Sequence, residues 1–127
     1  MQKAFEGVPV HTCVVHEGLH LKSSLSMMGV DTILIGTSDA AQSVRKQMEE
    51  KTLFKNTYKF VEVDEDATGS ANVLFYNEKL VLSESFKHLY NAKSEFQQGK
   101  SKWLENSEFK KIDGCLTCRS VFFNKEN

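Results

Sequence analysis

Apolar and polar positions alternate from Val8 to Val15, and this period of two predicts a β-strand with Val8, Val10, Thr12 and Val14 on one face. His16-Glu17-Gly18 turns the chain. Leu21, Leu25 and Met28 then recur at helical spacing, so a short helix is expected here, with Gly29 as its stop. His20 falls at the start of that helix, where the electropositive end disfavours an imidazolium and stabilises a nearby anion. Thr32 to Gly36 is a short apolar strand. Ser38 is placed to cap the next helix, with Asp39 in its first turn and Ala41, Val44 and Met48 as its buried stripe.

Tyr58 to Val63 reads as a third strand, closed by the acidic loop Asp64-Glu65-Asp66. Asn72 to Tyr76 and Leu80 to Leu82 pair as a hairpin across Asn77-Glu78-Lys79. Phe86, Leu89, Tyr90 and Lys93 sit at helical spacing, and the polar, Gly99-containing stretch Gln97 to Lys102 reads as a connector. Cys115 to Phe123 is the expected last strand, with Leu116, Cys118, Ser120 and Phe122 on one face and Arg119 on the other. Strands and helices are mixed throughout without a Pro/Gly/Ser-rich linker, which predicts one α/β domain over residues 1–127. No internal sequence repeat stands out.

The length of 127 residues and the 40% apolar content suit one domain with a modest core. Sixteen basic residues stand against 17 acidic ones, a net charge of -1. That balance gives no electrostatic reason for a nucleic acid or an anionic membrane as partner. The N-terminus is too short and mixed for a signal segment, and no run of about 18 apolar residues occurs, so the expected location is cytoplasmic. Three cysteines, Cys13, Cys115 and Cys118, point to reduced thiols. Cys115-Leu116-Thr117-Cys118 has C-x-x-C spacing. No second such pair exists for a four-cysteine zinc site. The flanking pattern argues against a redox role, since thioredoxin-like motifs lie between a strand and a helix whereas this one enters an apolar strand.

Two short runs carry candidate chemistry: Gly18-Leu19-His20-Leu21-Lys22-Ser23 near the start, and Asp113-Gly114-Cys115-Leu116-Thr117-Cys118 near the end. A thiol and an imidazole are the nucleophile and proton donor of a covalent hydrolase. Both runs resemble the dimethylarginine dimethylaminohydrolases of the guanidine-modifying (pentein) superfamily. The resemblance extends from about Ala4 to Lys125 and corresponds to the C-terminal half of a full family member. It implies an α/β fold of pentein-type propeller blades, ββαβ-like units around a pseudo-symmetry axis, of which this chain holds the C-terminal part. An arginine deiminase-like enzyme is a lesser alternative, because the Leu-His-Leu-Lys-Ser and Leu-Thr-Cys contexts favour the dimethylarginine branch.

The implied activity is hydrolysis of asymmetric dimethylarginine to citrulline and a methylamine, which relieves inhibition of nitric oxide synthesis. Cys118 matches the family nucleophile and His20 its general acid. Ile112, Asp113 and Cys115 match the loop whose backbone meets the amino-acid end of the substrate, Ile112 through its carbonyl. Cys118 and His20 could together take an inhibitory zinc ion, while the covalent mechanism uses no metal or organic cofactor. His11, His16 and His88 lack motif context and read as structural or surface residues; Cys13 reads as packing. The family's substrate-holding acids and arginines have no matching positions here. The chain is therefore expected either to pair with an N-terminal half or itself, or to be a non-catalytic interaction protein of the same fold.

Overall fold

Thr32-Ile33-Leu34-Ile35-Gly36 is apolar at consecutive positions, the mark of a strand covered on both faces. In the computed structural model, which describes residues 7, 10–17, 20–51, 58–64, 69–90, 96 and 101–122, it is the central strand β2, Thr32–Gly36. It pairs antiparallel with β1, Leu25–Gly29, and parallel with β3, Lys59–Val63. A parallel partner needs a crossover, and helix α2, Asp39–Glu50, lies in that connection. The Ser38 side chain accepts from the Ala41 backbone N–H, capping α2 as its sequence predicts. Ala41 and Val44 bury against Leu25, Ile33 and Ile35, with Met48 partly buried beside them. Leu34, on the other face of β2, joins a second cluster.

That cluster is shared with a second three-stranded sheet. Here β4, Leu74–Tyr76, pairs antiparallel with β5, Lys79–Ser83, and β5 pairs parallel with β6, Ser101–Leu104. The connection holds a 3-10 turn, Glu84–Phe86, and helix α3, Lys87–Tyr90. Both sheets thus share one order: an antiparallel hairpin, a helical connection, then a third strand parallel to the second. This is the ββαβ-like unit expected above, present twice, although no repeat is visible in the sequence. The described residues form two separate small sheets of a mixed α/β fold, with no closed ring among them. Leu34, Val61 and Val63 of the first sheet pack with Leu80 and Leu82 of the second and with Ala71 and Val73 just before it, and Phe86, Tyr90 and Phe96 complete the cluster.

Several expectations are corrected. The helix predicted from Leu21 through Met28 is only four residues long, α1, Leu21–Ser24, before the chain extends into β1. The helical spacing of Leu21, Leu25 and Met28 is coincidental, because Ser26 fixes the extended form. Its hydroxyl donates to Ala71 O (2.5 Å) and accepts from Val73 N (3.0 Å). Residues 10–16 form no strand. The Val14 backbone bonds instead to the side-chain amide of Gln47, through its N–H (2.8 Å) and its carbonyl (2.9 Å). Burial still alternates from Thr12 to Val15: Cys13, read as packing, and Val15 face inward, while Thr12 and Val14 are exposed.

The stretch Gln97 to Lys102 was expected to be a connector, yet Ser101 and Lys102 begin β6. The predicted last strand, Cys115 to Phe123, is not one: Thr117–Arg119 is a 3-10 turn, and residues 120–122 carry no regular structure. Val8, Pro9, Gly18, Leu19, Glu65, Asp66, Lys93 and Phe123 lie outside the described residues. Among the described residues no helix is long and apolar enough to cross a membrane.

Candidate active site

Asn72 precedes β4 and is buried, so each of its amide atoms needs a partner. Its Nδ2 donates to the Lys22 carbonyl (2.8 Å) and to Thr117 Oγ1 (2.7 Å). Its Oδ1 accepts from the Thr117 backbone N–H (3.0 Å). One side chain therefore ties helix α1, which follows His20, to the turn that carries Cys118. It also explains why no strand forms there. Thr117 gives its backbone donor to a side chain rather than to a ladder, and Ser120 Oγ turns back to Leu116 O (2.9 Å).

The Asp-Gly pair of the second motif ends a helix. After α4, Ser107–Lys110, Gly114 N–H bonds to Phe109 O (2.8 Å) and Asp113 N–H to Lys110 O (3.1 Å). Asp113 has φ 58°. This is a Schellman arrangement with Asp113 in the left-handed position. A Cβ on Gly114 would stand 2.9 Å from the Phe109 carbonyl oxygen, so only glycine fits. Asn106, also buried, accepts from Arg119 and donates to Gly114 O (3.1 Å). The Arg119 guanidinium lies 3.8 Å from the centroid of the Phe109 ring. Arg119 is thus engaged with α4 and its loop.

These anchors open a cleft of about 450 Å³ lined by His20, Leu21, Lys22, Ser23, Asn72, Thr117 and Cys118. His20 occupies the N-cap position of α1 with an extended backbone, and its side chain makes no capping hydrogen bond. The helix expected to act on the imidazole is only four residues long and so carries little macrodipole. Cys118 is exposed and Cys115 is half-buried. The Cys115 thiol is pushed above its ordinary range by burial and then by the charge and side-chain hydrogen bond of Cys118; Lys110 partly offsets this.

His20 and Cys118, named from opposite ends of the sequence, line this one cleft. Ile112, Asp113 and Cys115 do not. Ile112 is 76% exposed on the surface, Asp113 is the helix terminator, and Cys115 lines a separate small pocket with Gly69, Asn72 and Leu116. Asn72 went unnoticed in the sequence, where it reads only as the start of a hairpin strand. Among the described residues no carboxylate lines the cleft, and no group of three or more His, Cys, Asp or Glu side chains is gathered to hold a metal. Cys118 and His20 offer two donors, fewer than the three or four protein ligands of a usual zinc site.

No protein-family model matches the chain. Among solved structures it is similar to dimethylarginine dimethylaminohydrolase from Pseudomonas aeruginosa, a cysteine-to-serine variant complexed with citrulline. The TM-score is 0.58 at 20% identity, covering 81% of this chain and 36% of that one. A histidine-to-glycine variant of dimethylarginine dimethylaminohydrolase, as an adduct with S-methyl-L-thiocitrulline, aligns with the same TM-score, identity and coverage. The chain spans about a third of the length of these structures, 36% of each. Two hairpin–helix–strand units and a TM-score of 0.58 over most of its residues give this chain the fold of part of a dimethylarginine dimethylaminohydrolase.

Proposed function

We propose that this chain supplies the nucleophile and the general acid of a guanidine-modifying hydrolase acting on N-omega-methylated arginines. The observation that carries the reading is that His20 and Cys118 line one cleft, fastened by Asn72. A guanidinium is a poor electrophile, and a polarizable thiolate suits it better than an alkoxide. The Cys118 thiolate forms an S–C bond to the guanidinium carbon. The C–N bond to the methylated nitrogen breaks, and the departing amine takes a proton from the His20 imidazolium. His20, now neutral, takes a proton from water as the water oxygen bonds to the same carbon. The C–S bond then breaks as the new hydroxyl loses its proton to the released amine or solvent, leaving citrulline, a free thiolate and a protonated His20.

The rest of the substrate needs more than this cleft provides. Among the described residues Lys22 is the one lining side chain with a fixed charge, of the same sign as the guanidinium. The carboxylates that hold the cation are proposed to come from an N-terminal half or a second copy. The loop from exposed Ile112 through Asp113 and Cys115 leads straight into Cys118. Its carbonyls, Ile112 first, are the groups proposed to meet the amino-acid end. Zinc bound by Cys118 and His20 would block both catalytic groups and so inhibit. Removal of methylated arginine would bear on nitric oxide synthesis. The missing carboxylates also favour a second reading, a non-catalytic protein that keeps the fold for interaction.

The test is citrulline release from asymmetric dimethylarginine by the purified chain, alone and with a separately produced N-terminal half, with Cys118→Ser as control. The hydrolase reading predicts release in one of these settings and its loss in Cys118→Ser. No release in either setting, from a folded protein, would leave the interaction reading.

A further inference from the structure

The objection to a redox role for Cys115-Leu116-Thr117-Cys118 was that the motif enters a strand. It does not. Leu116 has φ -57° and ψ -46°, and Thr117–Arg119 is a 3-10 turn with Arg119 N–H bonded to Leu116 O (3.4 Å). Leu116 and Thr117, the two residues between the cysteines, are both helical, so Cys115 and Cys118 are the outer residues of one tight turn with Cα atoms less than about 7 Å apart. That lies inside the Cα separation a disulfide accepts. The Cys118 side chain lies within hydrogen-bonding reach of the Cys115 thiol. Cys13 packs elsewhere, with the α2 core cluster.

We propose that Cys115 and Cys118 are a reversible dithiol–disulfide pair, in which Cys118 meets a peroxide and Cys115 resolves the product. The assignment follows from exposure and does not rest on the hydrolase reading. Cys118 is open to solvent. Cys115 lies inward, its Sγ 3.2 Å from where a Cβ on Gly69 would stand. In the first step the Cys118 thiolate forms an S–O bond, the peroxide O–O bond breaks and hydroxide leaves. In the second, the Cys115 thiolate attacks that sulfur, the S–S bond forms, the S–O bond breaks and a second hydroxide leaves. Protons from the two thiols make both hydroxides water. The dithiol has lost two electrons and hydrogen peroxide has gained them. The turn needs no rearrangement at its ends, because Asn72 holds Thr117 and Asn106 holds Arg119. Closing the bond removes Cys118 as a nucleophile and spares it irreversible oxidation.

Cleavage after Lys111 and Arg119 gives one tryptic peptide, Ile112–Arg119, that contains both cysteines. The purified chain is treated with hydrogen peroxide, then blocked with an alkylating agent and digested without reductant. The proposal expects this peptide unalkylated, lighter than the dithiol by two hydrogens, and returned to the doubly alkylatable form by dithiothreitol. In Cys115→Ser the peptide is expected to gain oxygen atoms that dithiothreitol does not remove. Wild-type Cys118 gaining those oxygens while Cys115 stays alkylatable would overturn the proposal, as would a Cys118 bond to Cys13 or to a second chain. The wild-type measurement stands if the variant fails to fold.

Discussion

Replacing Asn72 with alanine removes three hydrogen bonds that join α1 to the Cys118 turn, and leaves the Lys22 carbonyl and the Thr117 N–H without their partner. Thr117 is half-buried and Lys22 exposed, so each orphaned group costs about 1 kcal/mol, the low end for an unpaired group. A loss of about 2 kcal/mol or more in urea unfolding is expected; a loss under about 0.5 kcal/mol would deny Asn72 its role as clamp. Tyr90 carries a second prediction. Burial holds its phenol well above the ordinary range, and its hydroxyl donates to Ser70 O. The folded state therefore keeps a proton that the unfolded chain releases above about pH 10. Stability contributed by the neutral phenol is complete below that pH and lost as pH rises further. Tyr90→Phe should lower stability near neutrality by about 1 kcal/mol, for the lost bond, and flatten the alkaline decline. Melting curves between neutral and alkaline pH test both effects. At this scale His20 and Cys118 were legible because each sits in a local motif. Asn72 was not, because its partners lie 50 and 45 positions away.

Elements were legible where their own residues decide them. β2 is apolar throughout, α2 has its cap and stripe, and the β4–β5 hairpin has its turn residues. That hairpin closes on Asn77 and Glu78, with φ 47° and 59°, a pair of left-handed residues suited to the twist of a two-residue loop. Asparagine tolerates the conformation and glutamate does so at a cost of about 1 kcal/mol. Glu78→Gly should therefore stabilise the protein by up to about 1 kcal/mol, read as a higher urea midpoint at unchanged slope. A lower midpoint would contradict the turn assignment. β1 and β6 were missed because other segments decide them. Leu25-Ser26-Met27-Met28-Gly29 is held extended by the bonds of Ser26 to Ala71 and Val73. Ser101-Lys102-Trp103-Leu104 begins with two polar residues that continue the polar stretch before it, yet it pairs with β5 and sets Trp103 against Tyr90 (5.9 Å between ring centroids). The Cys118 segment failed as a strand for the reason already given: its backbone bonds to the Asn72 side chain.

The two sheets meet through Leu34, which is fully buried on β2 and packs in the cluster that includes Val73, Leu80 and Leu82 of the second unit. Leu34→Ala should cost about 3 kcal/mol, as a cavity with rigid walls on two sides, and both sheets should melt together. Separate transitions would show that the units do not share a core. The repetition of hairpin, helix and parallel strand was hidden from the sequence because topology repeats while residues do not. At this scale too the two motifs come together, one from the start of the chain and one from the end. The measurement that tests this most directly is competition among Cys13, Cys115 and Cys118 for a limiting amidine-bearing electrophile. The reduced, folded protein is labelled and mapped by peptide mass, with and without His20→Ala. The account predicts that Cys118 is labelled first, and more slowly in His20→Ala. Labelling of Cys13 or Cys115 ahead of Cys118 would contradict it.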